Sequence, residues 1–229
     1  MLYVIADTHL SGSVAKPMDV FRGWEDYTDR LKNNWNRVVG EDDTVVLPGD
    51  ISWAMSLEES AADLAFLDGL NGRKIIGKGN HDYWWNTLTK MQRFINERGF
   101  TTLSVLYNNA YNVDGVCVCG TRGWQADDDT QQGMQIKQRE AGRLRLSLEA
   151  GLKAGGELTA FIHYPPVWMD CVCPEMVAVL KEYGVRRCYF GHIHSLRPGA
   201  PGDFEYEGIR FTLISADYLG FCPKQVLIF

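Results

Sequence analysis

Arg73-Lys74-Ile75-Ile76-Gly77-Lys78-Gly79-Asn80-His81-Asp82 sets a short apolar run against a loop of glycine, amide, imidazole and carboxylate groups. The run Arg73 to Gly77 is too short for a helix and reads as a buried strand, while Trp84 to Arg98 behind the loop spaces its apolar residues at helical intervals. The same unit stands twice upstream. Leu2 to Ala6 precedes Asp7-Thr8-His9, and Thr44 to Pro48 precedes Gly49-Asp50, with helical patterns at Asp29 to Val39 and Leu57 to Leu70 between the runs. Strand, loop and helix in regular succession predict an α/β fold whose helices are crossovers between strands.

Downstream the texture changes. Thr101 to Leu106 and Tyr111 to Gly120 read as strands, the second turning at Asp114-Gly115, and a long polar helix is predicted over Gln131 to Ala154. Strands follow at Leu158 to His163, Arg187 to Gly191, Phe204 to Tyr206, Ile209 to Ser215 and Gln225 to Phe229, with a helix over Pro174 to Tyr183. Without a repeat, low-complexity tract or linker, residues 1–229 read as one domain of mixed sheets with helices outside.

Composition narrows the function. Against 29 Asp and Glu stand 23 Lys and Arg, a net charge of −6, so the whole surface does not attract nucleic acid or acidic lipid, and any phosphate must be held by a local device. No apolar run reaches membrane-spanning length, and the first residues read as a strand rather than a signal peptide. Six cysteines at 117, 119, 171, 173, 188 and 222 lie in a chain too long for a small disulfide scaffold. Their two Cys-x-Cys pairs lack zinc-site spacing, so buried thiols and a reducing, cytoplasmic location are expected.

Every histidine follows a strand-like run in the company of Asp, Asn, Gly or Pro: His9, His81, His163, His192 and His194. In extended chain, residues i and i+2 face one side, so Asp7 with His9, and His192 with His194, are each expected to offer two donors to one place. Two such pairs with single donors suggest two metal ions, and oxygen and imidazole donors suit Mn, Fe, Zn or Co. Asp50 has two oxygens and is suited to bridging the ions. Taken singly these pieces are ordinary turns; their ordered conjunction carries the reading.

The ordered blocks Asp7-x-His9, Gly49-Asp50, Gly79-Asn80-His81-Asp82, His163 and Gly191-His192-x-His194 resemble the calcineurin-like metallophosphoesterase superfamily. The resemblance implies a four-layer αββα sandwich with two mixed β-sheets and a dinuclear centre of two divalent or trivalent ions, from among Mn, Fe, Zn, Ni and Co. It places Asp7, His9 and His194 on one metal and Asn80, His163 and His192 on the other, with Asp50 bridging. His81, helped by Asp82, then acts on the phosphate and leaving group, and a metal-held water or hydroxide attacks phosphorus. The implied activity is hydrolysis of a small phosphomonoester or phosphodiester such as a nucleotide; a nuclease and a non-catalytic metal-binding scaffold are the alternatives.

Departures narrow the substrate. Gly49-Asp50-Ile51-Ser52-Trp53-Ala54-Met55 lacks the arginine of the phosphoprotein phosphatase branch, and His81 stands where lipid A pathway hydrolases have arginine. The opening Asp7-Thr8-His9-Leu10 looks like that of the DNA-repair nucleases of the superfamily, but no basic patch accompanies it. Lys16, Lys78 and Arg122 are the cations nearest loop tips, with Arg122 the preferred substrate contact. Trp53, Trp84, Trp85, Trp124 and Trp168 lie near motifs, as an aromatic wall for a base or aryl leaving group or, more plainly, as packing between helices and sheets.

Overall fold

The strand-loop-helix units of the first half assemble into one sheet of a computed structural model that describes residues 1–197 and 199–226. Strands β1 (Leu2–Val4), β2 (Thr44–Leu47), β3 (Arg73–Ile76) and β4 (Leu103–Val105) lie parallel and in sequence order. Helices α1 (Tyr27–Val38), α2 (Ala61–Asp68) and α3 (Leu88–Glu97) form the crossovers. The second half supplies β5 (Tyr111–Val113), β6 (Val116–Thr121), α4 (Gln131–Ala154), β7 (Glu157–Ile162), the ribbon β8 (Val167–Trp168) and β9 (Cys171–Val172), and α5 (Pro174–Glu182). It ends with β10 (Arg187–Phe190), β11 (Asp203–Tyr206), β12 (Ile209–Leu213) and β13 (Lys224–Gln225). The second sheet runs β11-β12-β10-β7-β6-β5, while β13 returns antiparallel to the first sheet beside β1.

Strand alternation accounts for the layering. Tyr3, Ile5, Val45 and Leu47 pack under Tyr27, Leu31 and Trp35 of α1 and Leu64 and Leu67 of α2. Their neighbours Leu2, Val4, Ala6 and Val46 face Val116, Val118, Phe161 and Tyr189 of the second sheet. Cys117, Cys119, Leu158, Ala160 and Phe190 point the other way, into Leu144 and Leu148 of α4 and Leu180 of α5. Three apolar cores therefore separate four layers, the expected αββα sandwich with two mixed sheets, and both strand faces are buried, as parallel sheets require.

Several boundaries differ from the periodicity. The third helix starts at Leu88 rather than Trp84, because Thr87 Oγ1 accepts the Lys90 amide and caps it, while Trp84 Nε1 is drawn to Asp82 in the preceding loop. The second helix starts at Ala61, not Leu57. The final strand appears at Lys224–Gln225, and residues 227–229 of the expected Gln225 to Phe229 run lie outside the described residues. Cys117, Cys119, Cys173 and Cys188 are buried free thiols. No helix among the described residues is long and apolar enough to cross a membrane.

All parallel strands of both sheets end at one edge, and their loops are tied to one another. Asp7 and His9 donate their amides to Gly49 O and Asp50 O (both 3.0 Å), and Gly191 N donates to His163 O (3.1 Å). Ala6 N donates to Ile214 O (2.8 Å) and Ala216 N to Ala6 O (2.9 Å), which joins the two sheets where these loops meet. Carboxyl ends of parallel strands are where open α/β sheets bind ligands.

Candidate metal centre

Seven side chains converge on that edge from residues far apart in the chain. Asp7, His9 and His194 present donor atoms that all lie within 4.8 Å of one another, and Asp50, His163 and His192 form a second such group. Asn80 joins the second: its Oδ1 lies 2.7 Å from His163 Nε2 and 3.0 Å from His192 Nδ1. Asp50 Oδ2 stands between the groups, 3.8 Å from His9 Nε2 and 3.4 Å from His163 Nε2.

The pairs are not assembled as the sequence suggests. Asp7 (φ 60°), His9 (φ 44°), Asp50 (φ 51°) and His192 (φ 72°) all have left-handed backbones, so no extended chain carries Asp7 with His9 or His192 with His194. Sharp turns aim these side chains instead: Asp7 and His9 still meet in one group, as expected, while His192 and His194 go to different groups. Non-glycine residues in this region are uncommon and cluster at functional sites. Asp50 also departs from expectation. Only Oδ2 faces both groups, since Oδ1 accepts the His81 amide at 2.7 Å.

The donor set fits a cation on the geometry of this chain. His9 Nε2 and His194 Nε2 approach to 3.3 Å, nitrogen facing nitrogen, and the buried Nδ1 atoms of His9 and His163 have no hydrogen-bond partner among the described residues. Buried polar atoms are rarely left so. Burial holds His9 down at about 3 and His163 well below the usual imidazole range, which keeps their lone pairs free. Burial pushes Asp50 up to about 9, helped by the charges of Asp7 and Asp82. Burial also lowers the pKa of His194, but bonds to Asp217 and Asp7 outweigh it and push that group up to about 10.

A match to the calcineurin-like phosphoesterase family spans residues 1–196. The chain belongs to that family. Uncharacterized protein MJ1445 of Methanocaldococcus jannaschii is 34% identical over 83 residues, 35% of this chain and 46% of that protein, so the match spans about half of the relative's length. Among solved structures, TT1561 of Thermus thermophilus is similar with a TM-score of 0.61 at 11% identity, covering 95% of this chain and 89% of that one. Phosphopantetheinyl Hydrolase (PptH) from Mycobacterium tuberculosis has a TM-score of 0.55 at 13% identity, covering 99% and 95%. The protein of unknown function AQ665 from Aquifex aeolicus has 0.51 at 17%, covering 98% and 94%. At these identities the likeness is one of fold. Family membership implies metal-dependent phosphoester hydrolysis.

The other residues singled out in the sequence lie around the donors. His81 lies at the edge, its side chain 34% exposed and its Nε2 4.0 Å from Asp50 Oδ2. Asp82 is placed otherwise than expected. Instead of backing His81, its buried carboxylate accepts the amides of Asp50 (2.9 Å), Ile51 (2.9 Å), Ser52 (3.3 Å) and Gly79 (2.7 Å), and Trp84 Nε1 (3.0 Å). It clamps the Asp50 loop onto the Asn80 loop and reaches His81 only through the backbone.

The tryptophans divide. Trp53 stacks on His9 (4.9 Å, 23°), and Lys16 Nζ lies 4.1 Å from its ring centre, so neighbours already engage that ring. Trp84 is buried core, and Trp168 packs on Phe190 and Phe204. Trp124 lies under Arg122, whose Cζ is 4.8 Å from the ring.

Sequence reasoning missed three neighbours. Asp217, in the loop after β12, accepts from His194 Nδ1 (2.9 Å) and Ser195 N (2.9 Å). Trp24 lies 5.8 Å from His9 and 5.9 Å from His194, and Tyr164 sits 4.2 Å from His192, ring to ring. A carboxylate two residues beyond the predicted Ile209 to Ser215 strand was the available signal for Asp217.

Proposed function

We propose that this chain, acting as one domain, is a dinuclear-metal-dependent phosphohydrolase that cleaves a small phosphoester, a nucleotide being one candidate. The observation that carries the reading is the pair of three-donor groups, with Asp50 Oδ2 of the second also 3.8 Å from His9 Nε2 of the first. Asp7, His9 and His194 would hold one ion, and Asn80, His163 and His192 the other, with Asp50 shared. Two such cations, from among Mn, Fe, Zn, Ni and Co, supply Lewis acidity at phosphate oxygens and lower the pKa of water.

The chain's own groups do the rest. His81 is the one histidine outside both donor groups, and its edge position lets an imidazole N–H reach a phosphate or leaving-group oxygen as charge develops there. Asp82 keeps the loops bearing Asp50 and Asn80 in register. Asp217 fixes the ring of His194 through Nδ1, which leaves Nε2 for the ion. Trp24 and Trp53 wall the His9 side with apolar surface and limit water there. Arg122 is a substrate contact on the opposite side. The six free thiols fit a reducing compartment such as the cytoplasm.

The test is hydrolysis of p-nitrophenyl phosphate and its bis ester by metal-stripped protein after return of single metals. Turnover that appears with metal supports the reading, and the ratio of the two rates separates monoesterase from diesterase. Metal-independent rates, or none with any ion, would remove it.

A further inference from the structure

Beside the donor groups, where the ends of β2, β3 and β6 meet, lies a narrow cleft, open to solvent, with about 20 Å³ of room for the centres of water-sized groups. Lys78, Arg122 and Arg143 line it together with Asn108 and Tyr107. No acidic residue is among its walls. Behind them one carboxylate, that of Glu140, is fully buried. Its Oε2 accepts Thr121 Oγ1 at 2.6 Å, and its Oε1 is 3.1 Å from Arg143 and 3.8 Å from both Arg122 and Arg139.

Cationic donors here outnumber acceptors. A guanidinium has five N–H groups, and a single carboxylate cannot satisfy several arginines. Arg122 is the clearest case: its side chain is 16% exposed, its nearest carboxylate oxygen is beyond hydrogen-bond distance, and its buried Nε has no partner among the described residues. Rings hold two of the cations in place, Trp124 under Arg122 and Tyr107 at 5.4 Å from Arg143 Cζ. Three lining cations face two carboxylates, Glu140 and, on the Lys78 side, Asp82, which leaves an excess of positive charge in a chain whose net charge is −6.

The cleft is tied to the donor groups through the backbone. Lys78 precedes Asn80 by two residues, and Tyr164 N donates to Arg122 O at 2.9 Å. Tyr164 follows His163 and packs on His192.

We infer that Lys78, Arg122 and Arg143 form a second anion site that takes a non-scissile phosphate of the substrate, so that the preferred substrates carry two phosphate groups. This rests on the hydrolase reading for the word substrate, while the anion site itself does not. Fixed guanidinium donors match phosphate oxygens in pairs, and the low exposure of Arg122 strengthens each bond.

Two measurements test it on the full chain. Metal-stripped protein is titrated calorimetrically with inorganic phosphate, using wild type, Arg143→Gln, Lys78→Gln and the remote exposed control Lys181→Gln. Binding is expected to weaken about tenfold or more in each of the first two variants and to match wild type in the control, as for the loss of a charge-assisted contact. Manganese-loaded protein is then given adenosine 3′,5′-bisphosphate and adenosine 5′-monophosphate. The bisphosphate is expected to have the higher kcat/KM by about tenfold, through KM, and Arg143→Gln to erase that preference. No phosphate binding by wild type, binding that survives both substitutions, or equal kcat/KM on a turning-over enzyme overturns the inference. Intact, variant-sensitive phosphate binding without turnover on any ester instead overturns the hydrolase reading and leaves the anion site standing.

Discussion

His9 and His194, 185 residues apart in sequence, bring their Nε2 atoms to 3.3 Å. Each nitrogen is an acceptor unless protonated, so the pair is stable only with a proton or a cation between them. Asp217 and Asp7 supply the proton's stabilisation, holding His194 up near 10 against the effect of burial.

Metal uptake should therefore release protons. His194, at about 10, and Asp50, raised to about 9 by burial, are both protonated in the metal-free protein at neutral pH, and a bound cation displaces those protons. The expected result is an apparent affinity that rises with pH from about 6.5 to 9. Calorimetry in two buffers of different ionisation enthalpy reads the proton count; an affinity flat over this range would contradict the assignment.

Acid should act on the buried histidines in a definite direction. His9 is lowered by burial to about 3 and His163 well below its usual value, so between about pH 6.5 and 3 these two groups bind more protons in the unfolded chain than in the folded one. Their contribution is present above pH 6.5 and lost as pH falls. The raised carboxyls of Asp50 and Asp82 act in the opposite direction over the same range, so the histidine contribution is read by difference: on acidification below about pH 6.5, thermal melts of metal-free His163→Gln are expected to fall less than those of wild type.

Asp217→Ala leaves His194 without its orienting carboxylate. Outer-shell partners of metal-ligating histidines are typically worth about 10- to 100-fold in affinity. A chelator-competition titration is expected to show that loss with the fold intact by circular dichroism, whereas unchanged affinity would remove Asp217 from the account.

Asp82→Ala separates a clamp from a proton donor. Loss of a carboxylate that satisfies buried amides at Asp50, Ile51, Ser52 and Gly79 should cost about 3 kcal/mol or more of stability. A large drop in urea midpoint together with weakened metal binding is expected. A drop in kcat at full stability would restore the role of helper to His81.

Much of this architecture was legible because parallel strands buried on both faces read as continuous apolar runs such as Val45-Val46-Leu47. Helix starts were less so, since Trp84 and Trp85 continue the apolar pattern of α3 while Asp82 holds the first in a loop. The donors themselves stand out as histidines and carboxylates beside glycines, and the structure explains that adjacency. A Cβ on Gly79 would collide with Asp50, and one on Gly191 with Asp7 Oδ2 and Ala6. What the residues did not reveal is direction. The left-handed turns at Asp7, His9 and His192 cannot be read from Asp-x-His or His-x-His, and Asp217 and Glu140 acquire their roles only through partners distant in sequence.

The most direct test of the central claim is metal stoichiometry followed together with turnover: metal-stripped protein is titrated with manganese, and bound ions per chain and p-nitrophenyl phosphate hydrolysis are measured at each point. Two ions per chain are expected, with activity reaching its plateau only at the second, and Asp50→Asn losing both the second ion and most of the rate. Full turnover at one ion per chain, or an Asp50→Asn protein as active as wild type, would contradict a dinuclear centre built on these residues.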